Sequence, residues 1–136
     1  MADLTITAAN VSPGAGATLD TGTAGATITA GQVLYKDTTD SNKLKLADQD
    51  AQATALVAGI SLHGAASGQP LDYIKSGTLN LVGGVTIGRI YAVSSTAGGI
   101  GSATDVTTGK WVTTLGIGTA TSALSVKVHV GGVARA

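Results

Sequence analysis

The sequence predicts an all-β protein: a small antiparallel β-barrel or sandwich with an extended N-terminal arm and at most one short helix. Its 136 residues include 20 Gly and no Phe, which disfavours long helices and a large aromatic core. Short runs rich in Val, Ile and Thr recur along the chain, as is typical of pleated, half-buried strands. Turn residues separate these runs at intervals of about 8–12 residues, the spacing of a sandwich or barrel.

The first 27 residues differ in composition from the rest of the chain. Residues 3–7 alternate polar and apolar side chains, which predicts a short strand. Ala, Gly, Thr and Ser dominate from residue 8 onward, so this stretch has too few large apolar residues to fold alone. We therefore divide the chain into an arm, residues 1–27, and a β domain, residues 28–136. A floppy linker is the alternative, and the arm division predicts that a chain lacking residues 2–27 keeps a folded core.

The elements of the β domain follow from apolar runs bounded by turn residues. The last strand alternates Val with polar residues, as expected for a strand with two different faces. Residues 47–55 form the only plausible helix, with Asp48 as its N-cap. Ser76-Gly77 is the expected turn of a hairpin. The predicted strands cover residues 32–35, 43–46, 56–62, 71–74, 78–82, 89–94, 110–117 and 124–130.

Two pairs of similar segments suggest an internal duplication. The segment that starts at Gly31 resembles the one that starts at Gly88, since both lead into an apolar run with Tyr. The Gly-Ile pair at Gly59 likewise resembles the one at Gly116. Both offsets are 57 residues, from 31 to 88 and from 59 to 116. They predict two related β units, although a chain rich in glycine can also produce such matches by chance.

Composition narrows the possible partners. Only 12% of residues are charged and the formal net charge is zero, so little repulsion keeps copies apart and we expect an oligomer or a bound module. The basic residues are scattered, which argues against a nucleic-acid partner. Cysteine is absent, so no disulfide or thiolate metal site is expected. No apolar run has the length of a membrane span, and the N-terminal residues lack the regions of a Sec-type signal peptide.

Side chains able to perform chemistry are few. His63 and His129 have no second ligand at metal spacing, so we expect surface or interface roles. Closely spaced acids (Asp37 and Asp40, then Asp48) make a calcium site conceivable, but turn and cap roles are the default. No Gly-x-Ser-x-Gly elbow and no phosphate-loop lysine occur, so neither a hydrolase nor a nucleotide site is expected. We predict no catalytic residue, no metal site and no cofactor.

The aromatic residues allow two interpretations. Tyr35, Tyr73, Tyr91 and Trp111 are all the aromatic side chains of the chain. They either anchor the core or form an exposed platform on which a sugar could stack. Core anchoring is favoured, because little other aromatic mass is available.

Short motifs over nearly the whole chain resemble those of the head-decoration, or capsid cement, proteins of tailed bacteriophages. The likeness begins with residues 4–11 (LTITAANV) and continues in residues 22–35 (GTAGATITAGQVLY). Further matching segments are residues 46–48, 58–62, 65–69, 90–94, 96–100 and 115–117.

The resemblance implies a structural protein on the exterior of a virion capsid, made in the host cytoplasm. Its partner would be the major capsid protein, and the protein would form homo-oligomers, with a trimer favoured. It would bind the expanded shell and stabilise it. A compatible docking mechanism is strand addition by the arm to a sheet edge of the capsid protein. The residues expected to anchor the arm to the shell are Leu4, Ile6 and Val11.

Other functions stay open at this point. A tail, head-fibre or spike subunit would keep the protein in the virion at another position. A carbohydrate-binding β module is a different class, and it requires an exposed aromatic cluster around Trp111 and Tyr91. No partner among nucleic acids or membranes is expected for any of these functions.

Overall fold

The computed structural model describes residues 3–81 and 84–136. The described chain is all-β, as the sequence predicts, with two single 3₁₀ turns at Ala8–Asn10 and Ala103–Asp105. The strands are β1 (Ser12–Pro13), β2 (Thr18–Thr23), β3 (Val33–Asp37), β4 (Lys43–Leu46), β5 (Val57–Ser61), β6 (Pro70–Asn80), β7 (Ile90–Val93), β8 (Ile100–Ser102), β9 (Trp111–Ala120) and β10 (Ala123–Ala134).

The strands form one curled antiparallel sheet, a half-barrel. The order across the sheet is β4-β3-β5-β6-β10-β9-β7-β8, and β1 and β2 both pair with β6. A parallel bridge between Ala24 and Leu44 brings the end of β2 to β4. Gly25 donates its N–H to the carbonyl of Leu44 at 2.8 Å. This contact curls the first half of the sheet round its own apolar interior.

Two apolar clusters fill the curled sheet. The smaller one lies inside the first half and is built around fully buried Leu34, Leu44 and Tyr73. Burying an aliphatic or aromatic side chain contributes roughly 1.5–3 kcal/mol. The Tyr73 hydroxyl reaches Asp20 at 3.3 Å, and burial raises the pKa of Tyr73 to about 12. Tyr91 is also buried, in the larger cluster, and its hydroxyl accepts the N–H of Thr86 at 2.8 Å.

The structure supports the predicted duplication. We call β3–β6 the first repeat and β7–β10 the second repeat. The sheet order is symmetrical, since β4-β3-β5-β6 on one side matches β8-β7-β9-β10 on the other. The strand pairs also share one register, with an irregularity at the same step. The pairs are Val33–Ile60, Leu34–Gly59 and Tyr35–Val57 in the first repeat, and Ile90–Ile117, Tyr91–Gly116 and Ala92–Thr114 in the second, each offset by 57 residues (33 to 90, 60 to 117).

Backbone hydrogen bonds outside the ladders repeat with the same offset. Gly31 donates to the carbonyl of Ser61 at 2.8 Å, and Gly88 donates to the carbonyl of Gly118 at 2.8 Å. Both glycines have a positive φ, +83° and +81°, a conformation that glycine adopts without steric cost. The two repeats therefore begin with the same backbone turn as well as the same strand pairing.

The predicted hairpin at Ser76-Gly77 is wrong. β6 runs without a break from Pro70 to Asn80, and Val82 of the predicted second strand lies outside the described residues. Gly77 has a φ of +100°, and a Cβ at this position would collide with the backbone carbonyl of Gly16. Glycine is needed here because the N-terminal segment crosses β6 closely, a use of glycine that the sequence pattern does not separate from a turn.

The predicted helix over residues 47–55 is also wrong. Ala47 still donates its N–H to the carbonyl of Val33 at 2.9 Å, so the chain leaves β4 as a loop. The Asp48 carboxylate accepts the N–H of Asp50 at 3.0 Å and the hydroxyl of Thr54 at 2.7 Å. Side chains of this type compete with helical hydrogen bonds by binding nearby backbone groups, and here they hold a compact loop.

Candidate functional site

The three predicted anchor residues pack on their own domain. Val11 is buried, and Leu4 and Ile6 are half-buried against the larger apolar cluster. Leu4 donates its N–H to the carbonyl of Ile100 at 2.8 Å, although residues 3–7 do not form the regular strand that their alternation predicts. Their contribution to capsid binding stays a prediction, since these side chains already have apolar neighbours in the isolated chain.

The rest of the predicted arm belongs to the sheet as well. β1 and β2 pair antiparallel with β6, which places residues 12–23 along the whole length of that strand. Ala24 and Ile28, on either side of the expected boundary at residue 27, both lie in the smaller apolar cluster. Met1 and Ala2 lie outside the described residues. Because backbone pairing compensates for the shortage of apolar side chains, removing residues 2–27 would take away part of the fold.

One edge of β2 is open. Ala24 donates its N–H to the carbonyl of Gln69, and N–H groups alternate in direction along an antiparallel strand. The N–H groups of Leu19 and Thr21 therefore point away from β6. Apart from the bridge at Ala24, β6 is the only strand that β2 pairs with in the described chain. Leu19 is 49% exposed on this edge.

Asp20 protects part of the open edge. Its carboxylate accepts the outward N–H of Thr21 at 2.8 Å, and this bond is the main reason that the pKa of Asp20 lies below its ordinary value. An acidic residue on an exposed edge strand is one device by which proteins avoid unwanted strand pairing. A strand that adds here has to displace the carboxylate from the N–H of Thr21.

The largest cavity with polar walls does not assemble a catalytic set. Its volume is about 420 Å³, and Asp3, Ser94, Ser102 and Asp105 contribute to its lining. Ser94 donates its hydroxyl to the Asp3 carboxylate at 2.7–2.8 Å. No histidine or lysine lines this cavity, so the hydroxyl has no base beside it that could accept its proton and pass it on.

The histidines and clustered acids have local structural partners. His63 accepts the backbone N–H of Asp72 through Nε2 at 3.0 Å, and His129 is exposed on β10. In the described chain, no three His, Cys, Asp or Glu side chains are grouped so as to hold a metal ion. Asp37 accepts a hydrogen bond from the Lys45 ammonium at 2.7 Å, which, with bonds from Thr39, lowers the pKa of Asp37 to about 2.

The sugar-stacking platform lacks one of its two expected rings. Tyr91 is only 2% exposed and Tyr73 only 1%, so both rings serve the core. Trp111 and Tyr35 are half-buried. A stacking surface needs an accessible ring face, and the proposed pairing of Trp111 with Tyr91 does not provide it.

An exposed aliphatic surface lies on the second repeat, where the sequence predicts no site. Ile90 and Ile117 face each other across β7 and β9 and are 49% and 48% exposed. A shallow groove of about 340 Å³ runs along them and is lined also by Thr114 and Lys127. We call the surface formed by Gly88, Ile90, Thr114, Ile117 and Lys127 the second-repeat face. The 57-residue offset could have drawn attention to these positions, but not to their exposure.

Comparison with known proteins adds no family assignment, since neither a protein-family model nor a curated protein matches the chain. None of the described segments forms a helix with the length and apolarity that crossing a membrane requires.

Proposed function

We propose that this chain is a structural virion protein that binds the outer surface of a tailed-bacteriophage capsid and stabilises it. The resemblance of short motifs along nearly the whole sequence supports this function. The observation that carries the docking mechanism is the open edge of β2, which lies within the N-terminal segment expected to contact the shell. The proposed location is the capsid exterior, and the proposed partner is the major capsid protein.

Docking would use the backbone at Leu19 and Thr21. A strand of the capsid protein adds to β2 through the outward N–H and C=O groups, while Leu19 enters an apolar pocket of the partner. Only the assembled shell presents that strand in the right place, so binding stabilises the assembled form by mass action. The anchors Leu4, Ile6 and Val11 then act indirectly, by holding the N-terminal segment on the domain.

We propose no enzymatic activity. Supporting this, the polar cavity around Ser94 and Asp3 contains no base, and the described histidines lie elsewhere. We also propose that the protein forms homo-oligomers, with the trimer that the resemblance favours. The absence of net charge supports association, and light scattering at micromolar concentration tests it: a strictly monomeric species contradicts the proposal.

The test of shell binding compares two substitutions at one position. Thr21→Pro removes the outward N–H, and proline is tolerated on edge strands when its N–H is not needed. Thr21→Ala keeps the N–H but loses the same hydroxyl bond to Asp72, 2.7 Å long in the structure, so it is the matched control. Each protein is mixed with expanded shells that lack decoration, and binding is measured by sedimentation.

We expect at least a tenfold weaker binding for Thr21→Pro than for Thr21→Ala, since several backbone hydrogen bonds depend on the edge. Equal binding of the two folded variants contradicts docking through β2. Failure of the unmodified protein to bind or heat-stabilise shells contradicts the function itself. Electron microscopy of particles distinguishes the head surface from a tail or fibre position.

A further inference from the structure

The second-repeat face is the counterpart of a covered face in the first repeat. With the 57-residue offset, Ile90 corresponds to Val33 and Ile117 corresponds to Ile60. Val33 and Ile60 are completely buried, whereas the two second-repeat residues are about half exposed. The same kind of side chains on the same backbone register is therefore covered in one repeat and open in the other.

The cover of the first repeat is an extended segment with aliphatic side chains. A Cβ built on Gly31 would lie 2.6 Å from Ile6 and 3.2 Å from Val11, which shows that both side chains lie over this glycine. Gly88 is the equivalent position, and a Cβ built there has nothing within 4 Å. The second repeat thus keeps the backbone turn and the apolar pair but has no segment over them.

We propose that the second-repeat face is a docking site for an extended polypeptide segment of the partner assembly, carrying aliphatic side chains and a carboxylate. The aliphatic side chains would lie over Gly88, Ile90 and Ile117, as Ile6 and Val11 lie over Gly31. The carboxylate would pair with Lys127, which lines the groove and has no ion pair with any acid among the described residues. This inference depends on the proposed function only for the identity of the partner.

Charge and geometry argue against a second copy as the occupant. Val93 of the second repeat belongs to the same apolar cluster as Val33 and Ile60. In a head-to-tail stack of copies, its counterpart from the next molecule is Lys36, which is exposed and charged. That arrangement would bring Lys36 towards a face that already carries Lys127, and like charges at short range repel.

The N-terminal segment of a neighbouring copy is also a poor occupant. Leu4 is held in its own molecule by a hydrogen bond to Ile100, and Asp3 by the hydroxyl of Ser94. Moving this segment to another copy would uncover Val33 and Ile60 while covering Ile90 and Ile117. Such an exchange buries no additional aliphatic surface, so it supplies no driving force.

A peptide with the sequence of residues 3–12 is the probe, because it has the chemistry of the segment that covers the first repeat. It is titrated into the isotope-labelled full-length protein, and amide shifts are followed by NMR. We expect saturable shifts at Gly88 and Gly116. Ile117→Thr, which keeps a β-branched residue in β9, should weaken binding at least tenfold. Leu56→Thr is the control, since Leu56 is 50% exposed outside this face.

The charge requirement is tested in the same titration. Lys127→Ala should weaken binding of the peptide, and added salt should have less effect on this variant than on the unmodified protein. Shifts at Gly31 instead of Gly88 mean that the peptide displaces the chain's own segment, which overturns the assignment. No saturable shift at either glycine overturns it too. Shifts at Gly88 that depend on protein concentration without peptide identify a second copy and overturn the proposed occupant.

Shell binding separates this inference from the proposed function. If the unmodified protein binds shells but Ile117→Thr binds equally well and the peptide causes no shift at Gly88, the inference fails and the function stands. If the peptide maps to Gly88 but the protein does not bind shells, the function fails and the docking site stands.

Discussion

Two glycines at equivalent positions provide a direct measurement of how firmly the N-terminal segment is packed. Gly31 and Gly88 have nearly the same positive φ, +83° and +81°. Substitution by alanine costs about 1–2 kcal/mol in this left-handed region, whatever surrounds the residue. Gly88→Ala should cost no more than this, because the space around its new Cβ is open.

Gly31→Ala should cost more, because its Cβ would lie 2.6 Å from the Ile6 side chain. Forcing extra atoms into a packed site costs typically about 1–3 kcal/mol. The total for Gly31→Ala is therefore about 2–5 kcal/mol. The difference between the two variants, about 1–3 kcal/mol, is the part that the N-terminal segment causes.

Equilibrium unfolding in denaturant gives the free energy of unfolding for each variant. A third substitution, Ile6→Ala, removes the methyl groups that the new Cβ would meet. The double variant Gly31→Ala/Ile6→Ala should be more stable than the two single effects predict, by about 1–3 kcal/mol. In the Gly88→Ala background, Ile6→Ala should show no coupling.

Equal costs for Gly31→Ala and Gly88→Ala, within about 0.5 kcal/mol, would falsify the packing of the segment over the first repeat. Additive effects of Gly31→Ala and Ile6→Ala would lead to the same conclusion. Either result would also remove the template on which the second docking site is based.

Three other perturbations test the fold. Deleting residues 2–27 should abolish cooperative thermal unfolding, because strand β2 is lost; a deletion protein with a sharp transition contradicts this. Thr113→Val should destabilise by about 1–3 kcal/mol, since the buried carbonyl of Ala55 loses its donor, whereas Thr113→Ser should cost less. Asp37→Asn should lower Tm at pH 7 but not near pH 2. The folded pKa of Asp37 is depressed from 3.8 to about 2, so its stabilising bond to Lys45 is present above 3.8 and lost as pH falls towards 2.

Local patterns predicted most strands of the β domain. The Lys-Leu alternation of β4 gave its bounds correctly, and β3, β5, β7, β9 and β10 overlap the predicted segments. These strands have a period of two with one apolar face, which depends only on neighbouring residues. The short β8 was missed, because three residues such as Ile100–Ser102 are too few to establish a period.

The errors occurred where one residue type has two uses. Gly77 was interpreted as a turn but permits a close crossing of the N-terminal segment inside β6. Asp48 was interpreted as a helix cap but binds Asp50 and Thr54 in a loop. Glycine and aspartate serve both purposes in proteins, and only the packing around them decides which one applies.

The amino-acid sequence alone fixes the β class, the scarcity of reactive side chains and the 57-residue offset between the repeats. Tertiary packing decides which of two equivalent apolar faces is covered. Val33 and Ile60 do not differ in kind from Ile90 and Ile117, yet the first pair is buried and the second is half exposed. Periodicity encodes the side to which a residue points, whereas burial depends on the distant segment that packs there, in this case Ile6 and its neighbours.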